Sequence, residues 1–178
     1  MIDSVAAVRP GVALREVPGP PDELVVHGGG EVFRLPRTPE ALERLLLLVR
    51  VLPRLRPLLP VAVPAPRLVG VLADGGTPFT AEPRLPGVVP TGALGSIAAG
   101  QLAGLVAALD AVPAREAAQW GVPAAVPGVL LHGALTRAAL LVDPARGLLS
   151  GVVGWAPRLG DRADDLAGLD PELRTALD

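Results

Sequence analysis

His132 is the one histidine expected to lie in a cleft, and histidine titrates near neutrality without special help. It opens the segment His132-Gly133-Ala134-Leu135-Thr136-Arg137-Ala138-Ala139-Leu140-Leu141-Val142-Asp143. Thr136 and Arg137 are the polar side chains inside that loop. They are of a kind that orients a ligand carbonyl or carboxylate, but plain solvent exposure is the simpler expectation. The other histidine, His27, sits by the Gly28-Gly29-Gly30 turn, so a metal site built on both is not expected. Ser96 and Ser150 lack the His and Asp context of a nucleophilic triad. Arg34 is a candidate anion-binding residue, since a guanidinium matches phosphate or carboxylate geometry, but a surface or structural role is the simpler expectation. The chain has no cysteine, which excludes disulfides and thiolate metal sites, and no lysine, which excludes Schiff-base chemistry.

The elements that must position these residues follow from turn and helix signals. Val12–Val17, Glu23–His27 and Glu31–Leu35 read as strands, and Gly28-Gly29-Gly30 supplies a hairpin turn. Thr38-Pro39-Glu40 predicts a helix start, with a capping hydroxyl, a first-turn proline and an acid at the positive end. That helix should run to Leu52 and end at Pro53 and Pro57. Arg67–Ala73 and Pro78–Arg84 read as a strand pair around Asp74-Gly75-Gly76, and Leu85-Pro86-Gly87 as a hinge. Gly92–Asp110 predicts an amphipathic helix, with Leu102, Leu105, Val106 and Leu109 at helical spacing. Ala111–Pro127 reads as loop, with a helical turn at Ala114–Gln119. Short strands are expected at Val129–Leu131, Ala139–Val142 and Leu149–Val153, and a final helix at Asp161–Leu169. Sheet plus helix, then helix plus hairpins, is an α+β arrangement in two lobes, residues 1–86 and 87–178.

Composition narrows the function classes. The 178 residues suit one domain or two small lobes, and half of them are hydrophobic, enough for a core. The formal charge of −2 comes without a basic cluster, so nucleic-acid binding is not expected. No apolar run reaches membrane-spanning length, because Arg50 interrupts the leucine-rich stretch before it. The first residues lack a signal-peptide pattern. A soluble, cytoplasmic protein is expected, and the Ala-, Gly-, Pro- and Arg-rich usage suggests a bacterial gene.

The segment Val129–Asp143 resembles the "VLxHGDLHxxNLLVD" loop of aminoglycoside phosphotransferase-like small-molecule kinases. Gly29-Gly30-Glu31-Val32-Phe33-Arg34-Leu35-Pro36-Arg37 resembles that family's third strand, Gly151-Val152-Val153-Gly154-Trp155 its "GVIDW", and Leu159–Ala167 its "LGDPxxDLA". The resemblance implies a minimal bilobal kinase-like fold: a small antiparallel sheet plus helix in the amino-terminal lobe, and a shortened helical second lobe with short hairpins. It also implies roles for particular positions. The residue after His-Gly would be the catalytic base, and here it is Ala134. The magnesium ligands would lie at Ala139 and Gly154. The glutamate that pairs the phosphate-binding cation, Arg34 here, would lie at Leu48, and Glu43 is a poor substitute. Pro18-Gly19-Pro20-Pro21-Asp22-Glu23 replaces a phosphate-covering glycine loop, and proline has no N–H to donate. His132 is implied to be structural, and Asp161 and Asp165 to be hydrogen-bond acceptors.

Alanine and glycine side chains neither accept a proton nor hold a cation, so phosphoryl transfer is not expected. No cofactor and no metal are expected. The resemblance to a degenerate, truncated family member leaves a vacated site at Arg34, Leu48, His132, Ala134, Leu135, Thr136, Ala139, Gly154 and Trp155. Small apolar residues there favour an apolar small-molecule ligand. The leading expectation is a bacterial secondary-metabolism cyclase, pericyclic in kind, that orients a polyketide-like substrate. The alternative is a pseudokinase that binds or regulates another protein. Uncovered apolar faces also raise the expectation of a homo-oligomer.

Overall fold

A computed structural model describes residues 1–178 apart from 74, 125, 126, 176 and 178. The fold is α+β. The chain divides into two compact units, Met1–Val49 with Pro64–Arg84, and Arg50–Val63 with Leu85–Asp178.

The first unit is built on five strands: β1 (Arg15–Val17), β2 (Glu23–Gly28), β3 (Glu31–Pro36), β4 (Arg67–Val71) and β5 (Pro78–Pro83). They form one antiparallel sheet in the order β1-β2-β3-β5-β4. Gly29 and Gly30, both at positive φ (59° and 79°), make the two-residue β2–β3 turn. Alternation along the strands then sorts the side chains into two faces. Leu24, Val26, Phe33, Leu35, Phe79 and Ala81 point to one face and pack with Val5 of α1 (Ile2–Val8) and with Leu72. The opposite face carries Glu23, Val25, Arg34, Thr80 and Glu82, which the pairings Val25↔Arg34 and Arg34↔Thr80 set side by side.

Helix α2 (Pro39–Leu55) begins where the sequence predicts, and the Thr38 hydroxyl accepts the Ala41 N–H at 3.2 Å. It runs past Pro53 instead of ending at Leu52. The proline falls in the last turn, where it removes one hydrogen bond, and Leu52 and Leu55 stay fully buried. Burial thus carries the helix through its breaker. Strand β1 is shorter than expected, and α1 was not expected at all.

In the second unit α3 (Ser96–Asp110) buries Ala98, Leu102, Leu105 and Leu109. The expected first turn from Gly92 is absent, since Gly95 at φ −63°, ψ 158° is still extended. Helix α4 (Ala114–Gln119) matches the expected turn. Two small antiparallel pairs follow: β6 (Val129–Leu131) with β9 (Arg158–Gly160), and β7 (Leu140–Asp143) with β8 (Leu148–Val152). The Gln101 side-chain oxygen of α3 accepts the Leu149 N–H of β8 at 2.8 Å. Helices α5 (Arg162–Ala167) and α6 (Pro171–Thr175) complete the unit. Among the described residues no helix is long and apolar enough to cross a membrane.

Candidate functional site

His132 follows β6 directly and is fully buried. Its Nε2 lies 3.0 Å from the Val153 carbonyl, and its Nδ1 accepts the Ala134 N–H at 3.3 Å. These two bonds assign the proton to Nε2. The Trp155 ring lies against the imidazole, with ring centres 4.3 Å apart, and its indole N–H donates to the Val152 carbonyl at 2.9 Å. Burial lowers the His132 pKa from 6.5 to about 4, against the opposing effect of its bond to Val153. His132 is therefore a neutral structural residue near neutral pH.

Asp165 of α5 holds the same loop from below. One of its carboxylate oxygens accepts the His132 N–H at 2.7 Å and the other the Gly133 N–H at 2.8 Å. Burial raises the pKa of Asp165, and the two backbone donors act in the opposite direction. Gly133 has φ +86°, and a Cβ there would fall on the Ala156 carbonyl oxygen. Asp161 caps α5, its carboxylate accepting the Ala163 N–H at 2.9 Å. Both aspartates thus serve as acceptors, as the sequence predicts.

The remaining loop positions divide by burial. Leu135, Ala139 and Trp155 are core residues of the second unit. Ala134 and Thr136 are exposed. Gly154 is exposed at φ +74°, with open space where a Cβ would stand. The second unit therefore presents Ala134, Thr136 and Gly154 at its surface, while His132, Leu135, Ala139 and Trp155 are buried. No ionisable side chain is among these seven except the neutral imidazole.

Arg137 is engaged, contrary to the expectation of simple exposure. Its guanidinium donates to both carboxylate oxygens of Asp170, at 2.6 and 2.8 Å, and to Glu172 at 3.1 Å. It also donates to the Gly92 carbonyl at 2.6 Å. It ties the loop to α6 and to the segment before α3, so its charge is not available to a ligand.

In the first unit Arg34 lies on the polar sheet face, 3.3 Å from Glu82 and 3.3 Å from Glu23. Both carboxylates are buried. Arg44 of α2 adds ion pairs to Glu23 at 3.2 Å and Asp22 at 2.7 Å. Burial raises the pKa of Glu82, and the Arg34 charge works against that. Leu48 is half-buried on α2, and Glu43 is exposed. Sequence reasoning missed Glu82 and Arg44. The absence of a glutamate at Leu48 drew attention to the helix, whereas the partners of Arg34 come from neighbouring strands. Among the described residues no group of three His, Cys, Asp or Glu side chains could hold a metal ion.

These arrangements have recognisable counterparts in known proteins. Residues 23–124 match the phosphotransferase enzyme family. No match to the chain is found among curated proteins. The fold is similar to that of macrolide 2'-phosphotransferase MphH from Brachybacterium faecium, at 26% identity and a TM-score of 0.76, over 97% of this chain and 79% of that one. It is also similar to the GDP and kanamycin complex of APH(2")-IIia, at 17% identity and a TM-score of 0.85, over 99% and 80% of the two chains. Macrolide 2'-phosphotransferase type I gives 22% identity and a TM-score of 0.73, over 99% and 77%. The five-stranded sheet, the helices and the loop framework are those of a kinase-like fold, and the chain belongs to the phosphotransferase enzyme family.

Proposed function

We propose that this chain is a non-phosphorylating member of its family that binds an apolar small molecule over Ala134, Thr136 and Gly154. The observation that carries this reading is the contrast within one loop. His132 and Asp165 hold the backbone through defined hydrogen bonds, while the exposed positions are Ala134, Thr136 and Gly154, none of them ionisable. Magnesium needs oxygen ligands. Ala139 and Gly154 offer no side-chain oxygen, so the residues here do not fit that ion, and no phosphoryl step runs through them. Arg34, held between two carboxylates, is also poorly placed to neutralise a phosphate.

The narrower form of the proposal is a cyclase of bacterial secondary metabolism acting on a polyketide-like substrate. Such a reaction needs a flexible apolar molecule held in a reactive pose, and orientation alone supplies a large rate effect. It asks for neither a base nor a metal. Isothermal titration with ATP and magnesium should give no binding heat, and micromolar affinity would overturn the non-phosphorylating reading. A thermal-shift screen of polyketide-like compounds should find ligands that raise the melting temperature, and Ala134→Trp should cancel the shift. Hits that stabilise Ala134→Trp equally would place the ligand elsewhere.

A further inference from the structure

Helix α3 has two apolar stripes, of which one is buried and the other half-buried to exposed. Ala98, Leu102, Leu105 and Leu109 face the core of the second unit. Ala103, Val106 and Ala107 follow one another at i, i+3 and i+4 and form the other stripe, which ends at Asp110 (i+7). The helix carries a single charged residue, Asp110, at its carboxyl end. A helix apolar nearly all round belongs in surroundings that cover it on more than one side.

The second stripe forms a wall of an open cavity of about 470 Å³. The other walls are Arg162 and Leu166 of α5, Arg174 of α6, and Leu177. This volume lies in the range of small-molecule sites, which are mostly apolar with a few polar groups that fix orientation. Asp110 is ion-paired with Arg162, with the Arg162 Nε donating to the carboxylate at 3.2 Å. Among the described residues the Arg174 guanidinium has no ion pair and no side-chain hydrogen bond. One apolar wall, with the Asp110–Arg162 pair beside it and one unpaired guanidinium at the rim, matches an amphipathic monoanion, whose tail lies along Ala103, Val106 and Ala107 and whose head meets Arg174.

The geometry points to a second binding site in the cavity of α3, α5 and α6, one that takes a small carboxylic acid with an aliphatic tail. None of its lining residues belongs to the loop of the proposed function, so the two readings stand or fall separately. Titration calorimetry of the full chain with octanoate, octan-1-ol and octylammonium tests it. Octanoate should bind about tenfold more tightly than octylammonium, the size of effect expected for one charge-assisted contact. Hexanoate should bind about tenfold more weakly than octanoate, because two methylenes leave the apolar wall. Arg174→Gln should remove the preference for octanoate over octan-1-ol, and Ala107→Trp should abolish binding of both. If Ala107→Trp fails to fold by circular dichroism, Ala103→Leu serves as the cavity-filling variant. Ala134→Trp should leave octanoate binding unchanged. Equal affinity for octanoate and octylammonium, full binding by the filled-cavity variants, or no binding of octanoate at millimolar concentration would overturn the proposal.

Discussion

On the sheet face of the first unit Arg34 keeps its positive charge and lies between Glu23 and Glu82, both buried. In the loop of the second unit Ala134, Ala139 and Gly154 carry no ionisable group, and Asp165 and His132 hold the backbone. One region retains a charge and cancels it. The other retains a shape, and its exposed positions Ala134, Thr136 and Gly154 carry no charge. The difference shows that the framework of a catalytic loop is stabilised by residues distinct from those that would react. On the sheet, by contrast, the charge of Arg34 is itself part of the packing, because Glu23 and Glu82 are buried beside it.

The most damaging way to break this contrast is to remove the framework itself. Asp165→Ala leaves the N–H groups of His132 and Gly133 unpaired in the core, and should cost about 3 kcal/mol in urea unfolding. A loss below about 1 kcal/mol would mean that water replaces the carboxylate readily. The second test is pH. Unfolded His132 takes up a proton near 6.5, while the folded protein resists until about pH 4. Stability should therefore be intact at pH 7 and fall as pH drops through that window, by at most roughly 3 kcal/mol. His132→Asn should flatten this acid limb, and an unchanged limb would assign it to other groups.

On the sheet side, Arg34→Met leaves Glu23 and Glu82 without their shared cation. A loss of about 2 kcal/mol is expected, reduced from that of a fully buried pair because Arg34 is 20% exposed. The sign with pH is opposite to that for His132. The Glu82 carboxyl is already held above its ordinary range, and without Arg34 it should rise further. The folded state then keeps its proton to higher pH than the unfolded chain does, so stability should fall as pH increases through that interval. A variant whose stability is flat there would show that the guanidinium is not what sustains the acids. The smallest effect is expected at Gly154→Asp. Positive φ disfavours any side chain, but the space is open, so the cost should be about 1 kcal/mol by thermal unfolding. Together with Ala134→Asp and Ala139→Asn it should leave ATP turnover undetectable, because Arg34 remains bound to its acids.

The sequence was most informative where local chemistry and tertiary need agree. The Gly29-Gly30 hairpin, the capped start of α2 and the leucine spacing of α3 each specify an element without help from distant residues. Strand β9 and helix α1 were illegible for the opposite reason. Strand β9 has three residues and exists through its pairing with β6, about thirty positions earlier in the chain. Helix α1 has no side-chain cap and is held by burying Val5 under the sheet. Pro53 signalled a helix end that burial of Leu55 overrode. At the site, the vacancies at Ala134 and Gly154 could be read from flanking residues that stay in register. The partners of Arg34 could not. Glu23 and Glu82 are its diagonal neighbours across two different strand pairings, and a diagonal contact becomes visible only once both registers are known.

The double grip of Asp165 on the backbone at His132 and Gly133 has a practical meaning for protein engineering. It separates the part of the loop that must be conserved for the chain to fold from the part free to vary. Ala134 and Thr136 project from an anchored backbone into solvent, so libraries of side chains at these two positions should express as folded protein at nearly the parental yield. The loop is in that sense a mounting plate, ready to display new reactive groups at fixed spacing.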